Sequence, residues 1–371
     1  MKQSFYIGKL AGIKIELHYS WFFIFLLVAW GLAAGFFPAH YKVGLLGAWL
    51  LGAFASFLLF MSILLHEVAH SIVAKQHKIP VHKITLFFFG GVASIGKGKL
   101  TPKKEFEMAI AGPLFSIFLS LLFFIVYKSI NFLYVNALAF YLYKINLIVA
   151  LFNLAPGFPL DGGRILRAIL WYFYRDIVKA TKIASFCGKV FAGILVIGGF
   201  IGLFFGGFGL WFIVLGFFLY MVAEAGYEQT VVSALLNGVG ARDLLTKKIY
   251  CIDANRTLNE LSKAFITLRK ETLLVFDKKK YLGIVRISDL MDIKKEKWAK
   301  TKVKEITRKI APIKLETKID SVFLKMLRYG IDSIPVIKGK RLIGTVEREA
   351  IIKFLRLKQI LGSTKLRRGL K

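Results

Sequence analysis

Up to about residue 225 the chain is a series of long apolar runs separated by short polar breaks, and beyond residue 240 it turns polar. The runs cover 19–37, 43–74, 106–127, 132–153, 184–205 and 208–225. Each approaches or exceeds the roughly 20 residues that carry a helix across a bilayer core. The pattern therefore predicts an α-helical polytopic membrane domain of about six spans. The run 43–74 is longer than a perpendicular span needs, so it is expected to tilt or to emerge from the membrane. Residues 1–18 alternate weakly, as in Ile13-Lys14-Ile15-Glu16-Leu17, which predicts a short strand against the membrane. Residues 84–92 are apolar and strand-like but too short to span, and are expected to form one interfacial strand. Residues 164–182 read as amphipathic, with Arg167, Arg175 and Lys179 on the polar side, and Gly206-Gly207 is expected to turn the fifth span into the sixth.

The polar part repeats itself. Lys248-Ile249-Tyr250-Cys251-Ile252 corresponds to Lys309-Ile310-Ala311-Pro312-Ile313, and Thr272-Leu273-Leu274-Val275-Phe276 to Ser333-Ile334-Pro335-Val336-Ile337. Leu282-Gly283-Ile284-Val285 corresponds to Ile343-Gly344-Thr345-Val346 at the same offset, so the repeat is about 60 residues long. Each unit predicts strand–helix–strand–strand–helix. The expected organisation is a membrane domain over 1–225, a linker over 226–239, α/β units over 240–298 and 299–357, and a basic tail over 358–371.

Composition agrees with two kinds of domain. Of 371 residues, 56% are hydrophobic, too many for a soluble protein of this length and too few for one wholly in the membrane. The formal net charge of +31 suggests attraction to an anionic membrane face, and no nucleic-acid partner is expected. Cys187 and Cys251 lie in unlike surroundings, one apolar and one polar, so no disulfide and no thiol chemistry is expected. The first apolar run lacks a cleavage signature and reads as a retained span. Six spans put both termini on one side. The loops 75–104 and 164–182 share that side and hold most of the Lys and Arg, which makes it cytoplasmic.

The candidate chemistry sits late in the second run. His66-Glu67-Val68-Ala69-His70 places two imidazoles at i and i+4 on one helix face, close enough to share a metal. Glu67 lies off that face, where it reaches a water without taking a ligand position. Such a cluster is costly on an apolar helix unless it faces an interior and binds something. A catalytic zinc site takes three protein ligands, and the best third is Asp161, in the Pro- and Gly-rich break over 153–163. Irregular backbone at membrane depth is tolerated where it lines a protein cavity. His18, His40, His77 and His82 are not at ligand spacing and read as surface or interface residues.

H-E-x-x-H in a membrane run, followed by Asn153-x-x-Pro156-x-x-Pro159-x-Asp161-Gly162-Gly163-Arg164, resembles the site-2 protease family of intramembrane zinc metallopeptidases. Gly90-Gly91-Val92, Ala111-Gly112-Pro113 and the opening 12–18 add to the match, which covers residues 1 to about 225. The resemblance implies one zinc per chain held by His66, His70 and Asp161, with Glu67 as the base. The implied reaction is hydrolysis of a peptide bond in or near a transmembrane segment of a membrane protein, as in regulated intramembrane proteolysis. It also implies that Asn153 contacts substrate or oxyanion, the alternative being that its amide braces the break.

The tandem units resemble a pair of cystathionine β-synthase (CBS) domains. Such pairs often bind adenine nucleotides, and the ribose-contacting Asp of that family would fall at Asp289. The second unit has Ala350 there, and Arg286 replaces the usual Thr or Ser. The pair is expected to regulate, to dock substrate or to form a homodimer. The rival class is a CBS-regulated transporter or channel that uses the intramembrane polar groups as an ion path. That class expects broken helices in two related halves, whereas the chain has one break and no repeat within its membrane part.

Overall fold

The structure is a computed structural model. It describes residues 4–96, 98, 100–205, 209–278, 280–339 and 341–368. Two compact units divide the chain, Met1–Thr230 and Val231–Lys371.

The first unit opens with a hairpin, β1 (Ser4–Leu10) and β2 (Ile13–His18). Helix α1 (Tyr19–Gly31) follows, capped by the His18 ring, which accepts the Ser20 N–H, and passes through a π turn into α2 (Phe37–His40). Helix α3 (Leu45–Gln76) is 32 residues long. Strands β3 (Val81–Phe87) and β4 (Gly90–Ile95) come next. The four strands form one sheet in the order β1-β2-β3-β4, with β2 and β3 parallel. The expected single strand over 84–92 is thus a hairpin. Gly90 adopts φ +130, a conformation open to glycine that folds the chain back after Phe89.

Helix α4 (Pro102–Ser129) starts with Thr101, which accepts the Lys104 N–H, and Pro102, which has no N–H to leave unsatisfied. Helix α5 (Leu133–Asn153) stops where Pro156 disfavours helical backbone at Ala155. Lys144 lies over the Phe140 ring at 4.1 Å, which shelters this cation within an apolar run. Helix α6 (Asp161–Tyr174) restarts the chain. Helix α7 (Ile177–Phe204) begins at Asp176, whose carboxylate accepts from Val178 N and Lys179 N at 2.8 and 3.1 Å. The amphipathic stretch over 164–182 is therefore two helices, broken at Arg175 with φ 54. Helix α8 (Gly209–Leu236) runs across the boundary between the units. Within the linker expected over 226–239, residues 226–236 continue α8, and Gly238 follows at φ +79. The Gly206-Gly207 turn lies outside the described residues.

Among the described residues six helices are long and apolar enough to cross a membrane: Tyr19–His40, Leu45–Gln76, Pro102–Ser129, Leu133–Asn153, Ile177–Phe204 and Gly209–Leu236. Small residues let them approach closely. A Cβ on Gly52 of α3 would stand 2.6 Å from Ala29 O and 2.9 Å from the Ala33 Cβ. Exposed Phe, Leu and Ile side chains cover the outer faces of these helices, as a lipid solvent allows.

The second unit contains β5 (Leu245–Thr246), β6 (Cys251–Asp253), α9 (Leu258–Leu268), β7 (Thr272–Asp277), β8 (Lys280–Arg286) and α10 (Ile287–Met291). It continues with α11 (Val303–Ile306), β9 (Ile313–Lys314), α12 (Ile319–Tyr329), β10 (Ser333–Lys338), β11 (Arg341–Glu347) and α13 (Arg348–Arg368). Each repeat has the expected order, and two sheets form, β6-β7-β8 and β5-β11-β10-β9. The repeats exchange edges. Strand β5 of the first repeat pairs with β11 of the second, and Arg308 of the second repeat bridges to Ile284 of the first. Leu258, Leu261 and Phe265 of α9 pack under β7 and β8, while Ile319, Val322 and Met326 of α12 pack under β10 and β11. Leu236 and Val239 join the latter core, so the end of the expected linker is built into this unit. Residues 358–368, expected as a tail, extend α13.

Candidate active site

Helix α3 presents His66 and His70 on one face, and both are buried although the surrounding turns are apolar. Helix α4 holds both rings from behind. The His70 Nδ1–H donates to the Met108 carbonyl at 2.6 Å, and His66 Nδ1 lies 2.9 Å from the Ser116 hydroxyl. This fixes each ring, and both Nε2 atoms come to lie beside Gly112 of α4. The break after α5 then delivers Asp161, the first residue of α6, onto that face. Asp161 Oδ2 lies 3.1 Å from His66 Nε2 and 3.0 Å from His70 Nε2, and the two Nε2 atoms are 3.2 Å apart. Three ligand atoms thus converge from two elements far apart in sequence.

The donor chemistry fits a cation. A carbonyl only accepts, so the His70 Nδ1 facing Met108 carries the ring proton. Nε2 of the neutral ring is then a lone pair, and it points at a carboxylate oxygen that also only accepts. His66 Nε2, His70 Nε2 and Asp161 Oδ2, brought into mutual contact, make a donor set suited to a shared cation. The observed spacings lie near the roughly 3.3 Å expected between ligands about 2.0–2.1 Å from a tetrahedral zinc. Arg164 Nη1 stands 3.6 Å from Asp161 Oδ1, on the carboxylate oxygen that does not face the histidines.

Two glycines make the room. A Cβ at Gly112 would lie 2.5 Å from His66 Nε2 and 2.6 Å from His70 Cε1, so only glycine lets α4 pass this close. The sequence signal was Ala111-Gly112-Pro113. Its role emerges only once α4 lies behind α3. At Gly91 a Cβ would come 2.6 Å from Glu67 Cγ, so strand β4 lies directly against the Glu67 side chain. Glu67 is half-buried, one position off the histidine face. Asn153, by contrast, donates its Nδ2–H to the Val149 carbonyl at 3.0 Å, within its own helix. The other histidines lie elsewhere: His18 caps α1, His40 stacks on Phe36 at 4.6 Å, His77 meets Glu107 at 2.6 Å, and His82 is exposed.

In the second unit Asp289 is buried at the start of α10. Its carboxylate accepts from Arg286 N at 3.0 Å, Arg286 Nη2 at 2.7 Å and Arg308 Nε at 2.9 Å. Burial opposes ionisation, but these donors outweigh it and hold the carboxyl below its ordinary value. Both guanidinium groups occupy the oxygens that a ribose would need. The second repeat places Ala350 at the matching position, which offers no carboxylate.

Residues 54–137 and 128–198 match Peptidase family M50, and residues 241–296 and 303–357 each match the CBS domain. Over 363 residues the chain is 30% identical to zinc metalloprotease MJ0392 of Methanocaldococcus jannaschii, covering 97% of this chain and 98% of that one. The chain belongs to peptidase family M50, with a tandem CBS pair. This M50 peptidase is also 31% identical over 320 residues to Rip3 of Mycobacterium tuberculosis, covering 82% of this chain and 80% of that one. A solved site-2 protease from Methanocaldococcus jannaschii is 35% identical, covering 60% of this chain and 94% of that one, with a TM-score of 0.44. By its family and these curated relatives the chain is a zinc metalloprotease, its six apolar helices make it a multi-pass membrane protein, and the transporter alternative falls away.

Proposed function

We propose that this M50 peptidase hydrolyses a peptide bond in or near a transmembrane segment of a membrane protein, using one zinc per chain held by His66, His70 and Asp161. The observation that carries the proposal is the convergence of three buried ligand atoms on apolar helices, with both histidine Nδ1 sides engaged by α4. Bound zinc would supply positive charge that acidifies water and polarises the scissile carbonyl. Glu67, off the ligand face and beside it, takes the proton of the attacking water and passes a proton to the leaving amine. Asn153 is assigned to substrate or oxyanion contact. Its Nδ2–H bond to Val149 supports bracing of the α5 end equally well, and a substrate contact requires that bond to open.

A membrane helix hides its peptide bonds in its own hydrogen bonds, so the substrate must unwind locally. Strand β4 ends the sheet order next to Glu67, and its Val92 is exposed. An unwound segment adding to β4 would lie across Glu67. The basic side of the membrane domain is assigned to the cytoplasm, with both termini and the CBS pair on it. The test is cleavage of a single-span reporter by detergent-purified protein, with zinc content measured on the same sample. Cleavage abolished by chelation and restored by zinc supports the proposal; a metal-independent reaction refutes it.

The CBS pair is proposed as a regulatory or docking module, or as the contact of a homodimer. An adenine nucleotide near Asp289 must displace Arg286 and Arg308 from the carboxylate. Coupling to cleavage would be about 1–3 kcal/mol. Calorimetry of the full chain with ATP, ADP and AMP tests this. Absence of binding at millimolar concentration leaves docking or dimerisation.

A further inference from the structure

Glu105 is fully buried in the first turn of α4, among apolar helices, and it is not part of the hydrolytic machinery. Its partner is Arg167 of α6, whose Nε donates to Glu105 Oε1 at 2.7 Å and whose Nη2 also contacts that oxygen. The Arg167 side chain is itself only 13% exposed. The other face of the guanidinium covers the Phe158 ring, 4.9 Å from its centroid. Phe158 belongs to the break that delivers Asp161, and it is wedged in turn. A Cβ on Gly226 would collide with its ring, and one on Gly188 with its carbonyl. Arg167 is thus a joint between α4, α6 and the break.

Of the two helices that this joint ties together, one backs the histidines of α3 and the other carries Asp161. Helix α4 orients the histidines through Met108, one turn beyond Glu105, and through Ser116. Helix α6 carries Asp161 at its first residue. His66 and His70 ride on α3 and Asp161 on α6, and no covalent constraint nearer than the whole of α4 and α5 relates them. Metal ligands must be held within about 0.2 Å of their proper distances. We propose that the buried Glu105–Arg167 pair is a positioning clamp that sets the distance of Asp161 from the histidine pair, and so tunes zinc affinity and coordination geometry without touching the metal. The proposal rests on the assignment of His66, His70 and Asp161 as ligands.

The experiment uses full-length protein in detergent, with Co²⁺ as a spectroscopic probe and zinc affinity measured by competition with a chromophoric chelator. Wild type, Arg167→Ala, Arg167→Lys and Glu105→Gln are compared, with His66→Ala as the ligand control. The expected result is a 10–100-fold loss of zinc affinity in Arg167→Ala, as is usual for groups that orient ligands. At saturating cobalt the visible d–d bands of Arg167→Ala should shift, and Arg167→Lys should recover part of both losses. Glu105→Gln keeps the shape of the joint and removes its charge, so it is read if Arg167→Ala does not fold. A lower melting temperature with unchanged cobalt bands and unchanged zinc affinity would make the pair merely structural and overturn the inference. If wild type binds neither metal, or His66→Ala binds as wild type does, the ligand assignment fails instead.

Discussion

Replacing Gly112 by Ala tests the metal site through one methyl group. Gly112 lies inside α4 with ordinary helical backbone, and alanine is the better helix former by about 1 kcal/mol, so the fold itself should not suffer. The new Cβ would stand 2.5 Å from His66 Nε2, where ordinary contact begins at 3.4 Å, an overlap of about 0.9 Å. It would also press on His70 Nε2 and lie 2.6 Å from His70 Cε1, so neither ring escapes by moving toward the other. Met108 and Ser116 hold the rings from the α4 side, and relief must come from a backbone shift or from rings turned out of register. A displacement of this size exceeds the tolerance of about 0.2 Å for zinc–ligand distances several-fold. Zinc affinity should fall by about 100-fold or more, which is about 2.7 kcal/mol. The assay is zinc retained after dialysis against a graded chelator series, with melting of the chelated protein as the control for folding. Wild-type zinc affinity in Gly112→Ala would show that α4 does not back the metal site as described.

Glu67→Gln should retain zinc and lose reporter cleavage by at least about 100-fold, and residual cleavage near the wild-type rate would remove Glu67 as the base. Asp161→Ala should lower zinc content as far as His66→Ala does, since Oδ2 faces both Nε2 atoms; full zinc content would move the third ligand elsewhere. Asp289 has a carboxyl held below its ordinary value, so its contribution is complete above the unfolded value near 3.9 and is lost as pH falls through the lower folded value. Asp289→Asn should therefore weaken hydrogen-exchange protection of β8 and α10 at neutral pH by about 1.5–3 kcal/mol, and the difference from wild type should shrink on strong acidification. A difference independent of pH would mean that the ion pairs with Arg286 and Arg308 do not carry it.

Much of this protein could be read along the chain. Apolar length alone marks helices that cross a bilayer, because a backbone without water must bond internally and needs a defined span. The spacing of His66, Glu67 and His70 places two candidate ligands and a candidate base on one helix, since the i, i+4 relation is a property of the helix and not of its surroundings. The repeat after residue 240 carries its strand order with it. Other features depended on which elements lie side by side. The strand expected over 84–92 is a hairpin because Gly90 takes a backbone conformation that no periodicity announces. The linker expected over 226–239 is helix and core because Leu236 and Val239 found partners far along the chain. The role of Gly112 exists only where α4 crosses behind the histidines, and Glu105 and Arg167 became a pair only when α6 came to rest on α4. Asp289 stands where the CBS resemblance expects a ribose-contacting carboxylate, but Arg308, 19 positions away, reaches it through the exchanged edge between repeats. Local pattern determined the elements and the groups able to do chemistry. Contacts between distant segments decided which of those groups are held, which are already occupied and which side chains there is no room for, since sterics and charge act through space and not along the chain.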